Sequence, residues 1–125
     1  MSEDEIQRRF VRLLDRLNAT QSAGILFCST QGGMRMRIGQ ARKMVEGGYR
    51  KGIPDLLIYT PSLGFCGLAL ELKTLKGRPS PEQLEWVRRL NSFGWSAHVV
   101  KGYDEAVEKL FQYFPELESG QAAEL

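Results

Sequence analysis

Two acidic residues and one lysine occupy positions where strands are predicted, and their side chains suit phosphate chemistry. Asp55 begins a predicted strand over 55–60, and Glu71 and Lys73 lie in a second predicted strand over 66–73. Hard divalent cations such as Mg²⁺ take carboxylate oxygens as ligands. A neighbouring ammonium group can stabilise charge on a phosphate or help activate water. Together these groups predict metal-assisted hydrolysis of a phosphodiester bond.

The alternation of side chains along the second strand brings the charged groups together. Its three leucines share one face, which must be buried: Leu68, Leu70 and Leu72. Glu71 and Lys73 therefore lie side by side on the other face, roughly 6.6 Å apart. A hairpin centred on Leu63 would pair Asp55 with Glu71, with Cβ atoms about 4.5–5.5 Å apart. Two carboxylates that close repel unless a cation or a proton lies between them.

A plainer interpretation of the same residues remains open. Short strands often end in charged side chains, and Glu71 with Lys73 could be a salt-bridged strand end without any chemistry. The combination with Pro54 before Asp55, the hairpin register and a nearby basic segment favours the metal site.

Hydrophobic spacing and turn residues predict eight elements in the order α-β-α-β-β-α-β-α. The predicted helices cover residues 3–18, 34–46, 80–93 and 104–114, and the predicted strands cover residues 25–29, 55–60, 66–73 and 95–100. The last strand follows a helical crossover, which favours a parallel neighbour. The fold class is therefore α/β, a mixed sheet flanked by helices. We expect one domain over 1–115 and a polar, acidic tail over 116–125 that frays.

The third helix has a strong start signal, with Ser80 as N-cap, Pro81 at the first helical position and Gln83 at the third. Its apolar stripe is expected to be buried: Leu84, Val87 and Leu90. Trp86 and Phe93 are interpreted as packing or interface aromatics.

The net charge is only +2, but cations concentrate in one segment. Residues 34–51 hold six cations against Glu46 alone, whereas residues 101–125 hold two cations and six anions. Such a segment indicates a polyanion-binding surface, although a solvated helix face is equally compatible. The candidate phosphate contacts are this segment's cations and two cations in the loop after Lys73: Arg35, Arg37, Arg42, Lys43, Arg50, Lys51, Lys76 and Arg78.

Composition excludes several other functions. A chain of 125 residues with two cysteines lacks the material for a disulfide framework, and a single histidine leaves little for a histidine-based zinc site or a serine-type triad. The N-terminus does not resemble a signal peptide, and no apolar run is long enough to span a bilayer. These features lead us to expect a cytoplasmic protein with no membrane association.

Three spaced motifs resemble the PD-(D/E)xK nuclease superfamily, and within it the VRR-NUC branch, especially its small standalone members from phages and bacteria. The motifs are Gly52-Ile53-Pro54-Asp55-Leu56, Glu71-Leu72-Lys73-Thr74 and Ser80-Pro81-Glu82-Gln83. The resemblance covers residues 5 to about 114. It implies a restriction-endonuclease-like arrangement of the mixed sheet and helices.

The resemblance also assigns site residues. It implies that Asp55 and Glu71 bind the metal, that the backbone carbonyl of Leu72 is a further ligand, and that Lys73 is the catalytic lysine. Gln83 matches a glutamine that supports the site, although a capping box alone would also favour glutamine there.

Two further positions of the family pattern are less sharply defined in this chain. Glu5 matches a first-helix glutamate at or near the metal, but the choice among Glu3, Asp4 and Glu5 stays open because helix N-termini favour acidic residues in general. Gln31, before Gly32 and Gly33, departs from the histidine or asparagine that often precedes this glycine pair, and we expect it only to shape the loop.

The function that the resemblance implies is a metal-dependent DNA endonuclease that uses Mg²⁺, for which Mn²⁺ can substitute, and leaves a 5′-phosphate. The resemblance favours branched or Holliday-junction-like DNA as the substrate and a homodimer as the oligomeric state. If a phage encodes the chain, the expected location is the cytoplasm of its bacterial host. The alternatives are a nucleic-acid-binding module that keeps the nuclease fold without hydrolysis, and a structural subunit whose basic segment contacts a protein.

Overall fold

The protein is described by a computed structural model that covers residues 1–30 and 37–120. In these two ranges, four helices and four strands follow one another in the predicted order. They are α1 (Glu3–Gln21), β1 (Phe27–Ser29), α2 (Ile38–Glu46), β2 (Leu56–Ile58), β3 (Leu68–Lys73), α3 (Pro81–Ser92), β4 (Ser96–Lys101) and α4 (Gly102–Tyr113). The α/β class with a mixed sheet flanked by helices is confirmed. Gln31 and Arg35, two positions considered above, lie outside the described residues.

The strands form one sheet in the order β1-β2-β3-β4. β2 pairs with β3 antiparallel, and Leu56 lies opposite Leu70. This register confirms the hairpin centred on Leu63. β4 runs parallel to β3, as its helical crossover predicted. The C-terminal end of β3, the C-terminal end of β4 and the N-terminal end of β2 therefore meet at the same edge of the sheet.

The core lies on the leucine face of β3. The core side chains of the sheet pack against the apolar stripes of α1 and α4, and each of these three parts contributes fully buried residues: Leu68, Leu70, Phe10, Leu14, Ala106 and Leu110. The alternation along β3 thus holds as predicted. Ala69 and Glu71 are also buried, but they lie on the opposite face, outside this apolar cluster.

Helix α3 begins as its capping residues predict, with Ser80 Oγ accepting a hydrogen bond from the amide of Gln83. The prediction that it buries an apolar stripe was wrong, since none of its residues is buried and Leu84 is 51% exposed. The helix packs on β3 and β4 alongside a sheet only four strands wide, and this contact leaves much of its surface open to solvent.

The chain after α4 stays attached to the domain as far as it is described. The amide of Glu118 donates to Oε1 of Gln21 at 3.0 Å, and Nε2 of Gln21 donates to the Glu118 carbonyl at 3.2 Å. Leu117 packs against the core. Residues 117 and 118 therefore contact the rest of the domain, and the frayed tail over 116–125 remains a prediction. Within the described residues, no helix is both long enough and apolar enough to cross a bilayer.

Candidate metal centre

Three carboxylates converge at the edge of the sheet where β2 begins and β3 ends. Glu3 comes from the first turn of α1, Asp55 directly precedes β2, and Glu71 lies in β3. One oxygen from each side chain lies within 4.8 Å of the others. Three oxygen donors at that separation form a ligand set suited to a hard divalent cation.

Main-chain hydrogen bonds hold Asp55 in place. Its Oδ2 atom accepts a hydrogen bond of 2.8 Å from the amide of Leu72, and its own carbonyl accepts one of 2.9 Å from the amide of Thr30. The side chain therefore spans from one strand of the hairpin to the other. The prediction that the hairpin brings Asp55 beside Glu71 is met in this way. The carbonyl of Leu72 as a metal ligand remains a prediction.

Glu71 is the one buried charged residue among those described, and its charge is only partly offset by the nearby Lys73. It is 1% exposed, and neither of its carboxylate oxygens has a hydrogen-bond partner in residues 1–30 or 37–120. Burial, followed by the adjacent Asp55 carboxylate, raises the pKa of Glu71 to about 9, while the ammonium group of Lys73 acts in the opposite direction. Buried polar oxygens without partners are rare in folded proteins. A cation beside Glu71 would remove this deficit, so the residues present fit a divalent metal ion.

Lys73 is placed to neutralise part of this acidic group. Its Nζ atom lies 3.5 Å from Oε1 of Glu3, and its side chain is only 11% exposed. The pairing is a consequence of strand alternation, which puts Lys73 on the same face as Glu71. An ammonium group held at the rim of a carboxylate cluster is positioned to meet an incoming phosphate.

The acidic residue of α1 that joins the site is Glu3 rather than Glu5. Residues two apart on a helix do not face the same way, so only one of them can point at the sheet edge. Glu5 is exposed, and its amide takes part in the N-cap by donating to Ser2 Oγ. The resemblance favoured Glu5 and left Glu3 and Asp4 open; the helical phase of α1 brings Glu3 to the cluster, and a metal ligand from α1 remains a prediction.

Gln83 borders the site but serves the helix cap. Its Oε1 atom accepts a hydrogen bond of 2.8 Å from the amide of Ser80. The capping interpretation is thus confirmed for the oxygen, and the amide nitrogen is the part of the side chain left over for the site. Both uses of Gln83 are compatible, since its two amide atoms are distinct groups.

A cavity of about 270 Å³ surrounds these groups, which is room for several waters or a phosphate group. It is lined by Glu3, Tyr49, Lys51, Gly52, Ile53, Asp55, Glu71, Lys73, Ser80 and Gln83. The wall formed by residues 49–53 depends on a glycine. Gly52 has a φ of +97°, and a Cβ atom there would lie 2.6 Å from the backbone of Glu82. In the sequence, this role of Gly52 is signalled only by its position shortly before Pro54 and Asp55.

The candidate phosphate-binding cations are spread over a wider surface. Those of α2 and of the β3–α3 loop are exposed: Arg37, Arg42, Lys43, Lys76 and Arg78. Arg50 donates from Nη1 to the carbonyls of Val45 and Tyr49, both at 2.9 Å, so it also caps the end of α2. Among these described cations, Lys51 alone borders the carboxylate cavity.

The sheet, the helices and the carboxylate–lysine cluster define the class, an α/β protein with restriction-endonuclease-like architecture. The model of the VRR-NUC domain matches residues 25–104, and the chain belongs to this family, a branch of the PD-(D/E)xK superfamily. A solved structure described as "VRR_NUC domain protein" is 24% identical, with a TM-score of 0.74 over 92% of this chain and 89% of that chain. That likeness supports the fold. No curated protein sequence matches the chain. Membership of the family implies a nuclease-type function.

Proposed function

We propose that the protein is a metal-dependent DNA endonuclease whose metal site is formed by Asp55, Glu71 and Glu3. The observation that carries this proposal is the buried carboxylate of Glu71, which lies next to two further carboxylates and whose two oxygens have no hydrogen-bond partner in the described part of the chain. A protein that only binds nucleic acid gains nothing from acidic groups gathered where a phosphate would lie, since they repel it. Mg²⁺ is the proposed cofactor, with Mn²⁺ as a substitute.

Each residue of the site has a defined task in this proposal. A bound divalent ion supplies Lewis-acid activation of water and phosphate. The amide of Leu72 keeps Asp55 in its ligating orientation, and the Leu72 carbonyl offers one more oxygen. Lys73 stabilises negative charge that develops on the phosphate. The amide nitrogen of Gln83 donates a hydrogen bond into the cavity.

DNA is the proposed substrate, and the exposed cations of α2 and the loops are its proposed phosphate contacts. They present no evident base-reading pattern, which favours recognition of DNA shape over sequence. We propose branched, junction-like DNA and cleavage to a 5′-phosphate, as the family resemblance implies. We also propose a homodimer, because one active site per chain cuts two strands symmetrically only when two chains act together.

The test is a panel of end-labelled DNAs comprising a blunt duplex, a nicked duplex, a flap and a four-way junction. Each is incubated with Mg²⁺, Mn²⁺ or EDTA, the cut sites are mapped, and the mass of the protein is measured in parallel. We expect cleavage with either metal and none in EDTA. Asp55→Asn should lose at least about 100-fold in rate, while its fold is retained because an amide oxygen can still accept from Leu72.

Asp15→Asn is the matched control, since Asp15 is an exposed residue on α1 away from the site, and it should cleave like the wild type. Binding of DNA without cleavage by the wild type in both metals would instead support the non-hydrolytic binding module. Cleavage by Asp55→Asn at the wild-type rate would contradict the assigned metal site.

A further inference from the structure

A second and larger groove runs along α3 and begins at the carboxylate site. Its volume is about 720 Å³, and Lys51 borders both this groove and the carboxylate cavity. Its main walls are aromatic, apolar and basic: Arg50, Lys51, Trp86, Arg89, Leu90 and Phe93. Because α3 starts at the site edge of the sheet and ends where β4 begins, the groove leads away from the metal-binding carboxylates.

Two aromatic rings are arranged along this groove. Trp86 lies in α3 and Phe93, seven residues on, is the C-cap of that helix; both line the groove, at a separation of roughly 10.5 Å along the axis. Phe93 is 69% exposed. Trp86 is fixed in orientation, because Nε1 of its indole donates a hydrogen bond of 3.1 Å to the Lys51 carbonyl. The spacing fits about three nucleotides at about 3.4 Å per step.

The charges along the groove leave a positive surplus. Two acidic residues border it, but both have cationic partners. Nζ of Lys51 lies 3.9 Å from Oε1 of Glu82, and Arg88 binds Glu85 through two bonds of 2.6 and 2.9 Å. Arg89 has no carboxylate within ion-pair distance among the described residues, and the Arg50 guanidinium bonds only to neutral carbonyls. Neither arginine is ion-paired within the described residues, although the charge of Arg89 also acts on Glu85, and both can contact phosphates.

We propose that this groove binds an unpaired DNA strand that leads away from the cleavage site, with bases stacked on Trp86 and Phe93 and phosphates held by Arg50 and Arg89. The proposal rests on the proposed nuclease function and adds a substrate class, namely DNA with a single-stranded segment next to the cut. Aromatic rings for bases and a cationic track for the backbone are the recurring elements of single-strand binding.

A second copy of the chain is the other occupant that an exposed apolar helix face suggests. In a symmetric dimer the same patch meets itself, which would bring the surplus arginines of both copies together. The continuity of the groove with the carboxylate cavity through Lys51 also favours the substrate. A dimer formed through this groove is one of the results that the following experiment distinguishes.

The test compares affinities for a labelled blunt duplex and for the same duplex with an overhang of about eight thymidines, in both polarities, by fluorescence anisotropy in EDTA. The wild type should prefer one overhang at least about fivefold. Trp86→Leu and Phe93→Leu retain apolar volume but lack a ring, and they should reduce this preference toward unity. Trp86→Phe should keep most of it. Phe65→Leu is the control, since Phe65 is an exposed ring that packs toward Tyr113 of α4 and does not line the groove.

The charge component is tested by salt dependence. Arg89→Ala should lower the slope of log affinity against log salt for the overhang by about 0.7, the value for one phosphate contact to a single strand. Arg12→Ala removes the same charge from an exposed position on α1 and should leave the slope unchanged.

The proposal is overturned if the wild type shows no overhang preference, or if the Leu variants keep it. Conversion of a dimer to a monomer in these variants, with the preference retained, would identify the groove as a contact between copies. Cleavage of duplex DNA with Mg²⁺ is measured separately. Overhang preference without cleavage would contradict the nuclease proposal alone, and cleavage without overhang preference would contradict the groove alone.

Discussion

The amide of Leu72 donates a hydrogen bond of 2.8 Å to Oδ2 of Asp55, whereas the adjacent Glu71 receives none. The Asp55 carboxylate is thus held by the main chain, whereas the Glu71 carboxylate is buried without a hydrogen bond from the described residues. In the proposed metal site, Asp55 would be a ligand held in position before the metal binds, and Glu71 one whose buried charge is unfavourable without a cation. This asymmetry makes the metal site testable through stability as well as through activity.

The stability of the protein should depend on pH through Glu71. Its pKa is raised to about 9 in the folded state, mainly by burial, against an ordinary value of 4.5. Between these values the folded state holds a proton that the unfolded state has released, so folding stability falls as pH rises. We expect urea unfolding in EDTA to show that, as the pH rises through this range, the free energy of unfolding of the wild type falls by at least about 2 kcal/mol relative to that of Glu71→Gln.

The same pair of proteins provides the control. Glu71→Gln carries every other titrating group, so any pH dependence unrelated to Glu71 cancels in the difference. A difference between the two proteins that stays constant from pH 4.5 to 9 would show that Glu71 is not held in its neutral form.

The ligand from α1 can be identified by exchanging one acid at a time. Glu3→Gln should weaken the apparent affinity for Mg²⁺ about tenfold or more, because it removes one of the three converging carboxylates. Glu5→Gln should leave the affinity unchanged, since Glu5 lies on another side of the helix. Affinity is read from the rise in melting temperature during a Mg²⁺ titration. The reverse ranking of the two variants would restore the family-based assignment of Glu5.

Lys73 should matter to the reaction rather than to metal binding. Lys73→Ala is expected to reduce the single-turnover cleavage rate about 100- to 1,000-fold, as loss of a charge-stabilising group does. The Mg²⁺-dependent rise in melting temperature should persist. Lys101→Ala is the matched control, because Lys101 lies opposite Lys73 on the neighbouring strand β4, at the same edge of the sheet. Equal rates for the two variants would remove Lys73 from the proposed mechanism.

Gly52 should be required both for its positive φ and because no side-chain atom fits between it and Glu82. Gly52→Ala would add a Cβ atom 2.6 Å from the Glu82 backbone, at a φ of +97°. Gly48→Ala has a similar φ of +112° but open space around it, so it carries the backbone strain alone. Urea unfolding should show that Gly52→Ala is the more destabilising by at least about 1 kcal/mol. Equal decreases in the free energy of unfolding for the two variants would mean that the loop moves away from the added Cβ atom without destabilising the protein.

Local sequence patterns predicted the order of the elements and the β2–β3 hairpin that brings Asp55 close to Glu71 and Lys73. The alternating leucines of β3 set which face Glu71 and Lys73 occupy, and the turn around Leu63 set the register that brings Asp55 alongside. The burial of α3 was mispredicted because an apolar stripe shows what a helix could bury, not whether a surface large enough lies beneath it. Leu84 remains half exposed for this reason.

The amino-acid sequence by itself determined the order of the elements, the hairpin and the pairing of charge types on one strand, since these depend on neighbours within a few residues or across one turn. Only the tertiary structure decided that Glu3 joins Asp55 and Glu71, that Glu71 is sealed from water, and that α3 presents an aromatic groove at the site. Those features depend on how α1 and α3 are rotated and seated on the sheet. The rotation of α1 is set by its packing on α4 and β3, and that of α3 by its packing on β3 and β4, and no local pattern encodes these contacts between elements.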